Sequence, residues 1–152
     1  MTATRLDFGI LLVLACQEFV AELRAELARE FDDQGPSDGY VLRSLGARPM
    51  TTSELAERLH MSKQGAGQIV EDMERRGYVE RRPDPSDRRA RLLHLSERGR
   101  DALAAARRFH QRYERRLVRE HGRAAVETVR ALLGDMAGVE PDTDPRFRPM
   151  YL

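Results

Sequence analysis

The stretch RRPDPSDRRARLLHLSERG, from Arg81 to Gly99, restricts the fold of this chain more than any other. It holds six arginines and two prolines, and a helix start follows directly behind it. Residues Tyr78 to Arg82 read as a strand and Pro83 to Asp87 as a turn. Arg89, Arg91, Leu93 and Leu95 alternate with their neighbours as a second strand. A core hairpin would have to desolvate the arginines, and a flexible basic loop would not need the alternation. The pattern therefore predicts a hairpin that packs by its base and offers a charged tip to an anionic partner. Pro83 and Pro85 stiffen that tip and lower the entropy lost on docking. Asp87, two residues before Arg89, is placed to hold the Arg89 guanidinium in a fixed pose.

The residues ahead of the hairpin narrow the reading further. In MTTSELAERLHMSKQGAGQIVEDMERRGYVERR, Thr51 or Thr52 caps a short helix, with Glu54 close behind. Leu55, Ala56 and Leu59 form its inner face. His60 to Ser62 make a three-residue connection, and Ser62 caps a second helix that runs to Arg76. Ala66, Ile69 and Met73 form the buried face of that helix, and Gly77 ends it. Two short helices joined by a tight turn are a helix-turn-helix, and a hairpin straight after one is a wing. A wing tip meets phosphates or a minor groove, so it has to be polar and positive. The whole chain has a net charge of only +1, but Arg58 to Arg91 carries nine Arg or Lys against six Asp or Glu.

Long apolar stripes flank this centre. The first helix is expected from about Thr4 to Phe31, with Leu6, Ile10, Val13, Cys16, Val20, Leu23 and Leu27 at coiled-coil-like spacing. DDQGPSDG breaks it, and a short helix follows from Asp38 to Ala47. A long helix from Glu97 to Glu120 and a last one from Arg123 to Ala137 repeat the striping. The tail from Gly138 to Leu152 has three prolines and is expected to be extended or loosely docked. With 152 residues the chain suits one domain with appended helices, mainly α with a small β-hairpin wing. The apolar run Phe8 to Cys16 imitates a signal-peptide core, but Asp7 spoils its positive front and the stripe continues beyond Cys16. The run is also short for a membrane span, so no membrane partner is expected. A single cysteine allows no disulfide within the chain and no zinc cluster, which favours the reducing cytoplasm. No glycine-rich phosphate loop, no histidine pair at metal spacing and no nucleophile with an evident base is present. An enzyme, a metal site and a cofactor are therefore not expected.

Residues Thr51 to Gly99, and DPSDRRARLLHLSERG within them, resemble the multiple-antibiotic-resistance regulator (MarR) family of winged helix-turn-helix regulators. The resemblance implies an obligate homodimer. Residues 1–35 and 97–152 would supply its dimerisation helices, and 36–96 the DNA-binding lobe. It also implies a sequence-specific repressor on a pseudo-palindromic operator of double-stranded DNA, with half-sites roughly 10 bp apart. Ser62, Lys63, Gln64 and Gln68 match the groove side of the recognition helix, where Gln reads adenine and Lys reads guanine. Arg89 matches the wing arginine and Asp87 its orienting carboxylate, while Arg88 and Arg91 match phosphate contacts. Gly65 and Gly67 depart from the pattern and weaken the helix by about 1 kcal/mol each. They permit close approach to DNA, or they leave the helix partly disordered until it binds. Members of the family bind small aromatic or phenolic acids as effectors. Tyr40, Arg43, His110 and Tyr113 are the candidates for such a pocket here, with core packing as the competing role. Two further alternatives follow. One is a winged-helix protein-interaction module with weak DNA binding. The other is a thiol-based redox sensor through Cys16, which lacks an adjacent basic residue.

Overall fold

The computed structural model describes residues 5–139. Six helices and one antiparallel hairpin succeed each other. They are α1 (Phe8–Leu27), α2 (Asp38–Ala47), α3 (Thr52–Arg58), α4 (Lys63–Arg75), β1 (Val79–Asp84), β2 (Asp87–Leu95), α5 (Glu97–His121) and α6 (Arg123–Ala137). The fold is a winged helix-turn-helix carried on long helices. Each turn of chain has a local cause. Thr51 and Glu54 form a reciprocal capping box at the start of α3. The hydroxyls of Ser62 and Ser96 each accept an amide at the next helix start. His60 and Gly77 take left-handed backbone conformations on either side of α4, with φ of 51° and 79°. Gly122, with φ of 86°, separates α5 from α6.

One core joins the lobe. Leu55 and Leu59 of the α3 segment, Val70 and Met73 of α4, Tyr78, and Leu93 of β2 are all fully buried. Met50, in the link before α3, exchanges backbone hydrogen bonds with Leu93, so the wing base is tied to the helices. The core crosses the expected lobe boundaries at 36 and 96. Leu27 and Phe31 on one side, and Ala102 and Leu103 on the other, belong to the same cluster. On α4 the deeply buried residue is Val70, and Ile69 packs only at the edge of the core. Ala66 and Met73 are buried as expected, and only Ile69 gives way to its neighbour Val70.

The ends of α1 also differ from expectation. Leu6 precedes the helix, which begins after Asp7, and Thr4 lies outside the described residues. The helix stops at Leu27 because residues 28–30 must turn to bring Phe31 into the core, where its ring lies 6.3 Å from that of Tyr78. The second half of α1 runs antiparallel to α5. Phe19 packs edge-on against Tyr113 at 4.9 Å, Glu22 pairs with Arg116 at 2.9 Å and Glu26 with Arg112 at 2.6 Å. Expected bounds for α2 and α6 match those observed, and α5 runs one residue longer than expected. The stretch expected to be a tail lies outside the described residues beyond Val139.

Candidate nucleic-acid interface

Helix α4 has two distinct sides. Ala66, Val70 and Met73 face the core, while Ser62, Lys63, Gln64 and Gln68 are exposed. The helix runs without interruption through both glycines. The Ser62 hydroxyl is engaged, since it accepts the Gly65 amide at 3.0 Å, and its proton remains free to donate. Lys63, Gln64 and Gln68 offer amide and ammonium groups of the kind that reads base edges.

The hairpin extends further than its sequence suggests. Pro83 and Asp84 belong to β1 rather than to the turn, and Pro83 lies opposite Arg91. Both strands of a two-stranded ribbon are edges, so proline's missing amide costs no ladder bond on the open side. Beyond that pair the register slips and Asp84 lies opposite Asp87. Arg88, Arg89 and Ala90 of β2 are then left opposite no residue of β1. A bulge of this kind re-aims side chains and sharpens the local twist. Two carboxylates close the tip. Asp84 accepts both the amide and the hydroxyl of Ser86, at 2.8 and 2.7 Å, which holds its carboxyl below the ordinary 3.8. Asp87 accepts the backbone amide of Arg89 at 2.9 Å. This corrects the expected role of Asp87: it fixes the main chain under Arg89 and makes no bond to the guanidinium. The carboxylate closes the local turn on the main chain, as that of Asp84 does on the Ser86 amide.

The arginines of the wing divide into two groups. Arg81 pairs with Glu74 at 2.9 Å and Arg82 with Glu80 at 2.8 Å, so both are neutralised near the hairpin base. Among the described residues no carboxylate pairs with Arg88, Arg89 or Arg91, and all three are exposed. Among the described residues of the wing, positive charge is thus left uncompensated toward the tip.

A polar network that sequence reasoning missed anchors the far end of α4. Arg76 donates to both carboxylate oxygens of Asp38, with one contact at 3.1 Å, and to the backbone oxygen of Asp33 at 2.7 Å. It also pairs with Asp72 at 2.6 Å. Asp38 hydrogen bonds dominate and hold the guanidinium protonated more firmly than usual, against the opposing effect of burial. The Tyr78 hydroxyl donates to Asp33, and Arg98 lies over the Tyr78 ring at 4.4 Å. Burial pushes the Tyr78 hydroxyl up first and the Asp33 contact adds to it. Burial also opposes ionisation of Asp33, but Tyr78 and Arg98 together outweigh it and hold that carboxyl below 3.8. Partners 38 and 45 residues apart leave no local pattern to read. Asp38 in the sequence read only as the start of a short helix.

An open cleft of about 510 Å³ lies between α2, the wing base and α5. Leu95, Leu103 and Ala104 form an apolar floor, with His94, Arg100 and Arg107 around it. Tyr40, Arg43, His110 and Tyr113, the candidates for an effector pocket, do not line it. His110 and Tyr113 instead stack on Phe19 of α1, at 5.2 and 4.9 Å, and Tyr40 packs against the core. Burial, then the nearby charge of Arg43, pushes the His110 imidazole below 6.5. Cys16 is half-buried on α1. Among the described residues no His, Cys, Asp and Glu cluster is arranged to hold a metal, and no helix is long and apolar enough to cross a membrane.

Comparison with known proteins matches residues 35–90 to the model of the MarR family. This span holds α2, α3, α4 and most of the wing. Over this span the chain matches the MarR family. Among curated relatives, the exopolysaccharide II synthesis transcriptional activator ExpG of Rhizobium meliloti is 31% identical over 109 residues, 71% of this chain and 55% of ExpG. The transcriptional repressor MprA of Escherichia coli K12 is 30% identical over 99 residues, 62% of this chain and 56% of MprA. The chain therefore spans about half the length of these relatives. Both are transcriptional regulators, as the family's members are, and not enzymes. The structure of FabT from Streptococcus pneumoniae in complex with DNA superimposes with a TM-score of 0.70 at 21% identity, covering 86% of this chain and 94% of FabT. That similarity confirms the MarR winged-helix fold.

Proposed function

We propose that this MarR-family protein is a cytoplasmic, homodimeric regulator of transcription that binds a pseudo-palindromic operator. One observation carries the reading. A single lobe combines an exposed polar helix, with Lys63, Gln64 and Gln68, and a wing tip whose Arg88, Arg89 and Arg91 have no carboxylate partner among the described residues. Uncompensated cations on a stiff hairpin match a polyanion, and base-reading side chains on a helix match a major groove. FabT, which shares this fold, was captured on DNA. A recognition helix broken at its two glycines would favour the rival reading as a protein-contact module, and the unbroken α4 favours DNA.

The dimer reading has its own support. Phe8, Ile10, Leu11, Val13 and Leu14 of α1, with Val129, Leu132, Leu133 and Met136 of α6, are each 42–58% exposed. So many large apolar side chains on two helices make a patch that a second copy would cover. ExpG is an activator and MprA a repressor by name. We favour repression, because a dimer seated on its operator blocks polymerase without needing a further contact surface. The cleft ringed by His94, Arg100 and Arg107 over an apolar floor fits a small aromatic or phenolic acid. An acid bound there would brace α2 against α5 and relieve repression.

Fluorescence anisotropy tests the core of this reading. The wild-type protein should enrich a palindromic duplex from a random-sequence library and bind it far more tightly than a scrambled duplex. Affinity should fall steeply with salt. Arg89→Ala should lose about tenfold or more of that affinity. Equal binding to enriched and scrambled duplexes at moderate salt would refute specific readout.

A further inference from the structure

Both glycines of α4 are costly to a helix, but their surroundings differ. A side-chain carbon added at Gly65 would crowd the Ser62 hydroxyl at 3.1 Å, and that hydroxyl caps the helix. Gly65 thus has a reason within the protein. At Gly67 the added carbon would meet nothing within 4 Å. Open surroundings recur at Gly9 and Gly39, but each is only the second residue of its helix. Gly67 is the fifth of the thirteen residues of α4, in the interior, where glycine is a poor helix former. Nothing in the fold explains it.

Its position supplies an explanation. Gly67 lies one turn after Lys63 and Gln64 and directly precedes Gln68, the exposed side chains assigned to base reading. The early turns of a recognition helix are those that enter the groove. We propose that Gly67 sets how deeply α4 seats in the major groove. Its missing methyl lets the helix backbone approach the DNA, so that Gln64 and Gln68 reach base edges. The inference rests on the DNA-binding reading and assigns a specificity determinant within it.

Gly67→Ala and Gly67→Leu test it. Both should fold as the wild type by circular dichroism, and Gly67→Ala should melt a few degrees higher because alanine favours the helix. Affinity for the duplex enriched by the wild type should nevertheless fall about tenfold with alanine, and further with leucine. Affinity for the scrambled duplex, held by phosphate contacts, should stay within about twofold. Stability and specific binding would then move in opposite directions, which loss of fold cannot produce. If Gly67→Ala binds the enriched duplex as well as the wild type does, or better, the proposal is overturned and the DNA reading stands. If the wild type enriches no duplex, both fall together.

Discussion

Asp87 works on the wing through the main chain. Its carboxylate takes the Arg89 amide and so fixes where the Arg89 side chain starts from, while the guanidinium stays free for a ligand. This gives a substitution test with opposite outcomes for the two roles. Asparagine keeps the accepting oxygen but not the charge. Asp87→Asn should therefore bind operator DNA nearly as the wild type does, whereas Asp87→Ala should bind several-fold more weakly through a looser tip. If Asn proves as harmful as Ala, the charge matters and the backbone role is wrong. Cys16 makes the contrary case. It is half-buried on α1 and carries no adjacent basic residue in the sequence. Thiol sensing needs ionisation and access. Peroxide treatment should change operator affinity equally in the wild type and in Cys16→Ser, and an effect confined to the wild type would restore the redox reading.

Helix α3 shows what a short element needs in order to stand. Seven residues cannot sustain a helix by propensity, so its ends and its packing hold it. The Glu54 carboxylate accepts the Thr51 amide at 2.7 Å while the Thr51 hydroxyl accepts the Glu54 amide at 3.2 Å. The Thr51 amide is the largest influence on Glu54. Together with Arg48 it outweighs burial and holds the carboxyl below its ordinary 4.5. A carboxyl lowered on folding stabilises the native state above its unfolded pKa, and that contribution disappears as pH falls through the folded value. Stability should therefore begin to decline near pH 4.5 and continue below it. Glu54→Gln should flatten this part of the profile in denaturant titrations. Thr51→Ala should cost about 1 kcal/mol at neutral pH by removing the cap. The same logic of ends applies to α4, held by Ser62 at its start and by Arg76 on Asp38 at its finish. The side chains of Arg76 and Asp38 are only 17% and 3% exposed, so Asp38→Ala should cost about 3 kcal/mol by stranding a guanidinium that Asp72 only partly neutralises.

At the scale of the molecule, the apolar stripes of α1 and α6 divide by what covers them. The second half of α1 packs on α5 through Phe19, and its first half stays open together with much of α6. A second copy covering that patch predicts that Leu11→Asp with Leu133→Asp will sediment as a single copy, retain helical circular dichroism and lose most operator affinity. Each half-site would then be held by one lobe without its symmetric partner. A variant that still sediments as a dimer would place the interface elsewhere.

Local chemistry was enough to read the elements. Caps at Thr51, Ser62 and Ser96, the glycine at position 77, and the alternation of Leu93 and Leu95 announced a winged helix-turn-helix, with α2 and α6 at their observed ends. These signals act over four residues or fewer, so they are written in consecutive letters. The exposed side of α4 and the arginines of the wing could be named for the same reason. What needed the folded chain was every pairing across distance. The Arg76 anchor on Asp38 spans 38 residues, and the cleft beside α5 gathers residues from three elements. The tertiary structure also separated paired arginines from unpaired ones, and Gly65 from Gly67. Sequence determined which segments could be helix, hairpin and charge. Only the fold decided which charges were left uncompensated, because neutralisation depends on what lies across space and not on what lies next along the chain.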